Sequence, residues 1–173
     1  MTSRIFHGPD WTDALHHLQT GPRFRFADQR SHTMPLVAVG VYAIWHGESL
    51  VYVGMAGRGQ PEVALTQPVS ARVKAKGLVG RLNSHASGRR TGDQFCIYVC
   101  DRLVLPNLNR EQIVQVAAGS LSLDEKTRAF IHEHLSYSYA RTRDGKSALE
   151  LEAVTKAGAM VAGQPLLNPA RRS

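Results

Sequence analysis

The chain has 173 residues, of which 43% are hydrophobic and 20% are charged, and its 21 lysines and arginines exceed its 14 acids to give a net charge of +7. This length suits one compact domain, and the composition excludes a wholly disordered chain. Because no run of 18 apolar residues and no signal-peptide pattern occurs, we predict a cytoplasmic protein with no membrane partner.

Residues 1–35 predict an N-terminal arm that precedes a domain of residues 36–173. Apolar residues recur at helical spacing between positions 11 and 18, and a Gly-Pro pair then ends the pattern, so we expect a short helix. The polar and basic segment that follows predicts irregular structure. Its Phe24 and Phe26 could stack on nucleic-acid bases, but we favour packing onto the domain.

A β-hairpin is predicted next. The β-branched and aromatic run Leu36–Trp45 indicates a strand, and Leu50–Gly54 indicates the strand that returns. The four residues between them, HGES, are typical of a tight reversal. The hairpin thus presents two tyrosines, Tyr42 and Tyr52, each close to a glycine.

A long insertion at about residues 55–77 follows the hairpin, and loops of this length in compact domains usually serve a function or move. Between Glu62 and Asp93 the sequence contains no acid. The basic residues of this stretch are Arg72, Lys74, Lys76, Arg81, Arg89 and Arg90. A local positive potential favours phosphate, although a solvated basic face that only keeps the protein dissolved is the alternative.

Residues 77–88 predict a helix, and the apolar run Phe95–Cys100 predicts a third strand. On such a strand Cys96 and Cys100 would share a face, too far apart to form a disulfide, so we expect buried free thiols. Helices are then predicted for residues 109–118 and, after a capping box, for residues 122–135. The segment SYSYART indicates an additional edge strand.

These elements together predict an α+β fold, in which a small central antiparallel β-sheet of the hairpin and a third strand is flanked by helices. A Ser-x-x-Glu capping box predicts that the last helix begins at Ser147, and Gly163 and Pro165 mark its exit. The box would give Glu150 a structural role, so of the two glutamates it favours Glu152 as a carboxylate available for chemistry, although both stay open on this ground alone.

Two tripeptides of the hairpin, GVY at residues 40–42 and YVG at residues 52–54, closely resemble the signature of the GIY-YIG nucleases, with valine in place of isoleucine. The later elements of that family's pattern occur in order: an arginine on the first helix, a glutamate on a later helix and an asparagine near the end. They are Arg81, Glu152 and Asn168. His85, one turn after the arginine, and the long insertion are similar to features of the family's restriction endonucleases.

The resemblance implies a metal-dependent DNA endonuclease that hydrolyses phosphodiester bonds by direct attack of water. Glu152 would hold one Mg²⁺ or Mn²⁺ ion, because a lone carboxylate with phosphate oxygens and waters suits such cations. Arg81 would bind the scissile phosphate. Either Tyr42 or His85 would accept the proton of the attacking water, and the sequence does not decide between them.

The resemblance implies one further catalytic residue, Tyr52, which with Asn168 would position the phosphate or the hairpin. The residues expected to contact substrate are Gly40, Gly54, Asn168, Lys76, Arg89 and Arg90. Double-stranded DNA is the expected partner, and a homodimer is compatible with the sequence. A nucleic-acid-binding module that has lost the reaction is the alternative function, and restriction, repair and mobile-element roles all stay open.

Overall fold

The computed structural model describes residues 4–28, 34–35, 37–58 and 76–168, which form an α+β fold, as predicted. The helices are α1 (Thr12–Thr20), α2 (Leu78–Ala86), α3 (Gln94–Val99), α4 (Arg110–Ala117), α5 (Leu123–His134) and α6 (Gly145–Lys156). The strands are β1 (Ile5–Phe6), β2 (Phe24–Arg25), β3 (Val37–Ala38), β4 (Gly40–His46), β5 (Ser49–Ala56), β6 (Lys76–Gly77) and β7 (Leu135–Thr142). No helix within these ranges is long and apolar enough to cross a bilayer.

The main sheet has the strand order β1-β7-β4-β5, and β2 also pairs with β7. Strands β4 and β5 form the predicted antiparallel hairpin, in which Tyr42 lies opposite Gly54. On its other side β4 pairs antiparallel with β7, which places Tyr139 opposite Tyr42. The short strands β1 and β2 pair with opposite ends of β7, so the N-terminal residues extend the sheet.

Strand β4 is buried on both faces, which explains its unbroken apolar sequence. Successive side chains of a strand point to opposite faces. Tyr42 and Ile44 pack in a cluster with residues of α2, α3 and α5. Val41 and Trp45 pack on the other face in a second cluster with residues of α1 and α6. The sheet is therefore a central layer between two layers of helices.

The prediction of a third strand at Phe95–Cys100 is wrong, because these residues form α3 and the start of a π-helical turn. The Asp93 carboxylate caps α3 by accepting the backbone N–H groups of Phe95 and Cys96. Apolar content suggested a strand, but burial follows a helical pattern and does not alternate. Cys96 and Cys100 are buried and free, as expected.

The true third strand is β7, which the sequence indicated only as an additional edge strand. It lies inside the sheet, between β4 on one side and the short strands β1 and β2 on the other. Its Tyr137, Tyr139 and Ala140 are buried. The sequence did not reveal this position, because the strands that cover its outer edge lie more than a hundred residues earlier.

The last helix begins two residues before the predicted start. Asp144, and not Ser147, is the N-cap, since its carboxylate accepts the backbone N–H of Ser147 at 2.8 Å. The helix also ends earlier, at Lys156, well before Gly163. Glu150 consequently has no role in a capping box at Ser147, and its side chain is exposed.

Other predictions agree with the fold. Ser122 caps α5 as predicted, and α4 lies within the predicted residues 109–118, where Asn109 forms a capping box with Gln112 that was not predicted. Phe26 of the N-terminal arm is fully buried against the ring of Tyr137, so it packs onto the domain as favoured. Most of the predicted insertion, residues 59–75, lies outside the described residues.

Candidate active site

The two signature tripeptides meet across the hairpin, where Gly54 leaves room for the ring of Tyr42. A Cβ atom added at Gly54 would lie 2.2 Å from the Tyr42 hydroxyl oxygen and 2.5 Å from Cζ. No side chain larger than hydrogen fits there without displacing the phenol. The glycine of the second tripeptide therefore supports the tyrosine of the first, through a contact that the register of β4 and β5 creates.

Tyr42 is the first member of a buried chain of hydrogen bonds. Its hydroxyl lies 2.7 Å from Nε2 of His85, and Nδ1 of the same ring lies 2.7 Å from Oδ2 of Asp93. Ser84 Oγ donates a further bond to that carboxylate oxygen at 3.0 Å. The side chains of Tyr42, His85 and Asp93 are 2%, 2% and 4% exposed, so water does not compete for these hydrogen bonds.

Burial lowers the pKa of His85, and this effect exceeds the opposing influence of Asp93. For Asp93, burial by itself would raise the pKa, but hydrogen bonds from His85 and Ser84 outweigh it and lower the pKa. At neutral pH the pair is thus a neutral imidazole hydrogen-bonded to a carboxylate. Burial raises the pKa of Tyr42 well above its ordinary value, and Tyr52 adds to the effect.

Tyr52 lies beside this chain on β5. Its ring stacks on that of Tyr42 with centroids 6.4 Å apart, and its edge meets the His85 ring at 5.9 Å. Burial and nearby Asp93 raise its pKa to about 12, so its hydroxyl stays protonated at physiological pH. Tyr52 can therefore donate a hydrogen bond to a phosphate oxygen.

An open pocket of about 360 Å³ lies over these groups. It brings together all five residues predicted to be catalytic: Tyr42, Tyr52, Arg81, His85 and Glu152. Arg81 is exposed on α2, one turn before His85. Arg58, which follows β5, contributes a second guanidinium to the lining. Two such groups can pair with the oxygens of one phosphodiester.

Glu152 is the carboxylate of this pocket on α6. Its side chain is 14% exposed and accepts a hydrogen bond from Lys156 Nζ, one helical turn later, at 2.9 Å. Glu150, two residues earlier, does not line the pocket. Within the described ranges, no three His, Cys, Asp or Glu side chains are grouped so that they could hold a metal ion. A cation at Glu152 would therefore take its other ligands from substrate and water.

The residues predicted to contact substrate are more dispersed. Gly54 lines the pocket, whereas Gly40 packs against the Ala140 carbonyl at the contact of β4 with β7. Asn168 binds both the N–H and the C=O of Val53, at 2.7 and 2.9 Å, and so fixes the edge of the hairpin. The alternative that it positions the hairpin thus has a direct structural basis.

The predicted basic contacts also differ in their surroundings. Arg90 donates to the Asp124 carboxylate at 2.7 Å, so its charge is already engaged within the protein. Arg89 is exposed, next to it in sequence. The backbone of Lys76 pairs with Val37 in the small parallel sheet of β3 and β6, and its side chain lies outside the described part of the chain.

Sequence reasoning missed Asp93, which completes the buried chain, and Arg58 and Gln94, which line the pocket. Asp93 carried a usable signal, because an aspartate after glycine and before an apolar run is typical of a helix N-cap. The interpretation of that run as a strand concealed it. Arg58 carried no such signal, since one arginine in a Gly-rich segment predicts no specific role.

Comparison with known proteins gives no further assignment. No protein-family model matches the chain, and no curated protein and no solved structure matches it either. The candidate site consequently rests on its own geometry and on the sequence motifs within it.

Proposed function

We propose that the chain is a metal-dependent DNA endonuclease of the GIY-YIG type, which hydrolyses a phosphodiester bond by direct attack of water. The convergence of the predicted residues carries this proposal. Two tyrosines, an arginine, a histidine and a glutamate, spread over 110 residues of sequence, line one pocket. Each has the chemistry that one part of the reaction requires.

The substrate is expected to be anionic because the pocket presents two guanidinium groups, those of Arg58 and Arg81. Arginine stays charged at all physiological pH values and binds phosphate through paired donors. The excess of basic residues over the whole chain, +7, would draw a polyanion towards this surface. A phosphodiester of duplex DNA fits both features.

Tyr42 is the best-placed acceptor for the proton of the attacking water. Tyr42 lines the pocket, and its hydroxyl is hydrogen-bonded to a neutral imidazole, which can take the phenolic proton as the water's proton arrives. This arrangement supports a role shared between the two candidate bases. Tyr42 would contact the water, and His85 would act behind it.

Glu152 would hold the divalent cation, which would supply charge neutralisation on the phosphate and Lewis-acid chemistry for its hydrolysis. The donor set fits Mg²⁺ or Mn²⁺, since these cations keep several waters and bind through one or two carboxylates together with phosphate oxygens. Lys156 balances the charge of the carboxylate in the free protein. Tight cation binding should therefore require DNA.

In the reaction, the water oxygen would form a bond to phosphorus while the bond to one ester oxygen breaks. The water gives one proton to Tyr42, whose own proton passes to His85, and after the reaction the extra proton would return through Tyr42 to the solvent of the pocket. The leaving oxygen takes a proton from solvent. The products are one phosphomonoester and one alcohol, with Arg81 holding the phosphoryl oxygens throughout.

The test is incubation of the purified protein with supercoiled plasmid, in Mg²⁺ or Mn²⁺ and in EDTA. Glu152→Gln removes the carboxylate charge with little change of shape, and Glu150→Gln makes the same substitution at an exposed position outside the pocket. We expect metal-dependent nicking or discrete fragments from the wild type and from Glu150→Gln. Glu152→Gln should be about 10²–10³-fold slower, on the scale of losing one group that stabilises the transition state.

DNA binding separates the alternatives. Glu152→Gln should still bind duplex DNA with the salt dependence of the wild type, because phosphate contacts by basic residues dominate affinity. Salt-sensitive binding by a wild type that cleaves no DNA with either metal would instead support the binding module. If the wild type neither binds nor cleaves DNA, both proposed functions are refuted.

A further inference from the structure

We propose that Asp93 is a positioning residue that holds His85 in the tautomer protonated on Nδ1, so that the free Nε2 accepts the hydroxyl proton of Tyr42. The inference rests on the proposed function, which it deepens. It gives Asp93, which contacts His85 but not Tyr42, a role in the proton transfer. It also explains why this aspartate is buried, although an exposed carboxylate would cap α3 equally well.

Both carboxylate oxygens of Asp93 are engaged. Oδ1 accepts the backbone N–H groups at the start of α3, from Phe95 at 3.1 Å and Cys96 at 3.4 Å. Oδ2 accepts Ser84 Oγ and lies 2.7 Å from Nδ1 of His85. Four bonds at a side chain only 4% exposed fix its position. The carboxylate therefore cannot turn away from the histidine.

The donor and the acceptor of each hydrogen bond from Tyr42 to Asp93 follow from the Asp93 carboxylate, which can only accept. An ionised carboxylate has no proton to give, so Nδ1 of His85 must be the donor in this bond. A neutral imidazole carries one proton, which leaves Nε2 as an acceptor. The hydroxyl of Tyr42, 2.7 Å from Nε2, must then be the donor. The phenolic proton already points at the atom that would receive it.

The surroundings of His85 favour this neutral resting state. Tyr42 and Tyr52 face the ring from the hairpin, Arg81 lies one turn away on the same helix, and Asp93 faces it from the start of α3. Both tyrosines are neutral, and burial, with a smaller contribution from the charge of Arg81, lowers the pKa of the histidine. When the ring takes the phenolic proton, the carboxylate stabilises the resulting imidazolium.

Asp93→Asn tests the inference with little structural disturbance. The amide oxygen can still cap α3, because asparagine is as good an N-cap as aspartate. The amide NH₂ would replace Oδ2 and donate to Nδ1, which forces the proton of His85 onto Nε2. That nitrogen would then donate to Tyr42 and could no longer accept its proton. The matched control is Asp144→Asn, the same change at the N-cap of α6, where no histidine is bound.

We expect Asp93→Asn to slow cleavage by about 10²–10⁴-fold, the scale of other changes that trap a catalytic histidine in the wrong tautomer. DNA affinity should stay within about twofold of the wild type, and so should both properties of Asp144→Asn. The ¹⁵N chemical shifts of His85, measured without DNA, should show the Nδ1–H form in the wild type and the Nε2–H form in Asp93→Asn.

The pH profile provides a readout that a merely structural role would not change. Between pH 7 and 9 the wild-type rate should be nearly constant, whereas the rate of Asp93→Asn should rise with pH as hydroxide takes over removal of the phenolic proton. A wild-type His85 protonated on Nε2 would overturn the inference, and so would an Asp93→Asn protein that cleaves at the wild-type rate. If the wild type cleaves no DNA, the proposed function fails. The tautomer of His85, measured without DNA, then still tests whether Asp93 positions the histidine.

Discussion

Alanine at Gly54 should separate the geometry of the pocket from the stability of the hairpin. The added Cβ would lie 2.2 Å from the Tyr42 hydroxyl, and an ordinary contact of 3.4 Å requires the phenol to retreat by about 1.2 Å. Because Asp93 holds His85 in place, we do not expect the 2.7 Å bond between phenol and imidazole to survive that shift. A buried polar group without its partner costs about 1–3 kcal/mol of stability.

For Gly54→Ala we expect the cleavage rate to fall by more than the loss of stability alone would cause. A displacement of roughly 1 Å at a reacting group can cost about 10²-fold in rate. We therefore expect Gly54→Ala to fold, but with a free energy of unfolding in urea that is lower than that of the wild type by about 1–3 kcal/mol. We expect it to nick plasmid about 10²-fold more slowly than the wild type. DNA binding, measured at the same salt concentration, should be retained.

Gly47→Ala is the matched control on the same hairpin. Gly47 has a φ of 57° and no atom within 4 Å of its added Cβ, so alanine would strain the turn without touching the pocket. It should cost about 1–2 kcal/mol of stability and leave cleavage unchanged. Wild-type cleavage by Gly54→Ala would refute the reasoning, as would an equal loss of cleavage in both variants.

Three further predictions concern other parts of the site. Arg81→Ala should slow cleavage by about 10²–10³-fold, whereas Arg90→Ala should change it less than about fivefold in the same plasmid assay, because Arg90 is already paired with Asp124. Asn168→Ala should lower the free energy of unfolding in urea by about 1–3 kcal/mol, since it leaves two backbone groups of the hairpin edge unpaired. Because burial lowers the pKa of His85 below the 6.5 of an unfolded chain, stability should fall as the pH decreases through 6.5; cleavage should fall only at still lower pH, where the buried imidazole itself becomes protonated, as followed by denaturation and rate profiles.

Several features were determined by the sequence alone because short-range patterns specify them. The hairpin follows from two apolar strands and a turn, and α2 follows from helical spacing that places Arg81 and His85 on adjacent turns. The cap of α5 depends on residues three apart. The candidate catalytic residues were found in the same way, by motif order along the chain.

Tertiary structure decided the features that depend on distant partners. Phe95–Cys100 has the composition of a strand, yet it pairs with no strand of the described sheet. Asp93 instead caps a helix that begins at Gln94. Strand β7 is interior because residues near the N-terminus cover its edge. The histidine acquires its partners only when the hairpin, α2 and α3 pack together. A sequence lists these side chains, but only packing sets the distances and the burial that give them their protonation states.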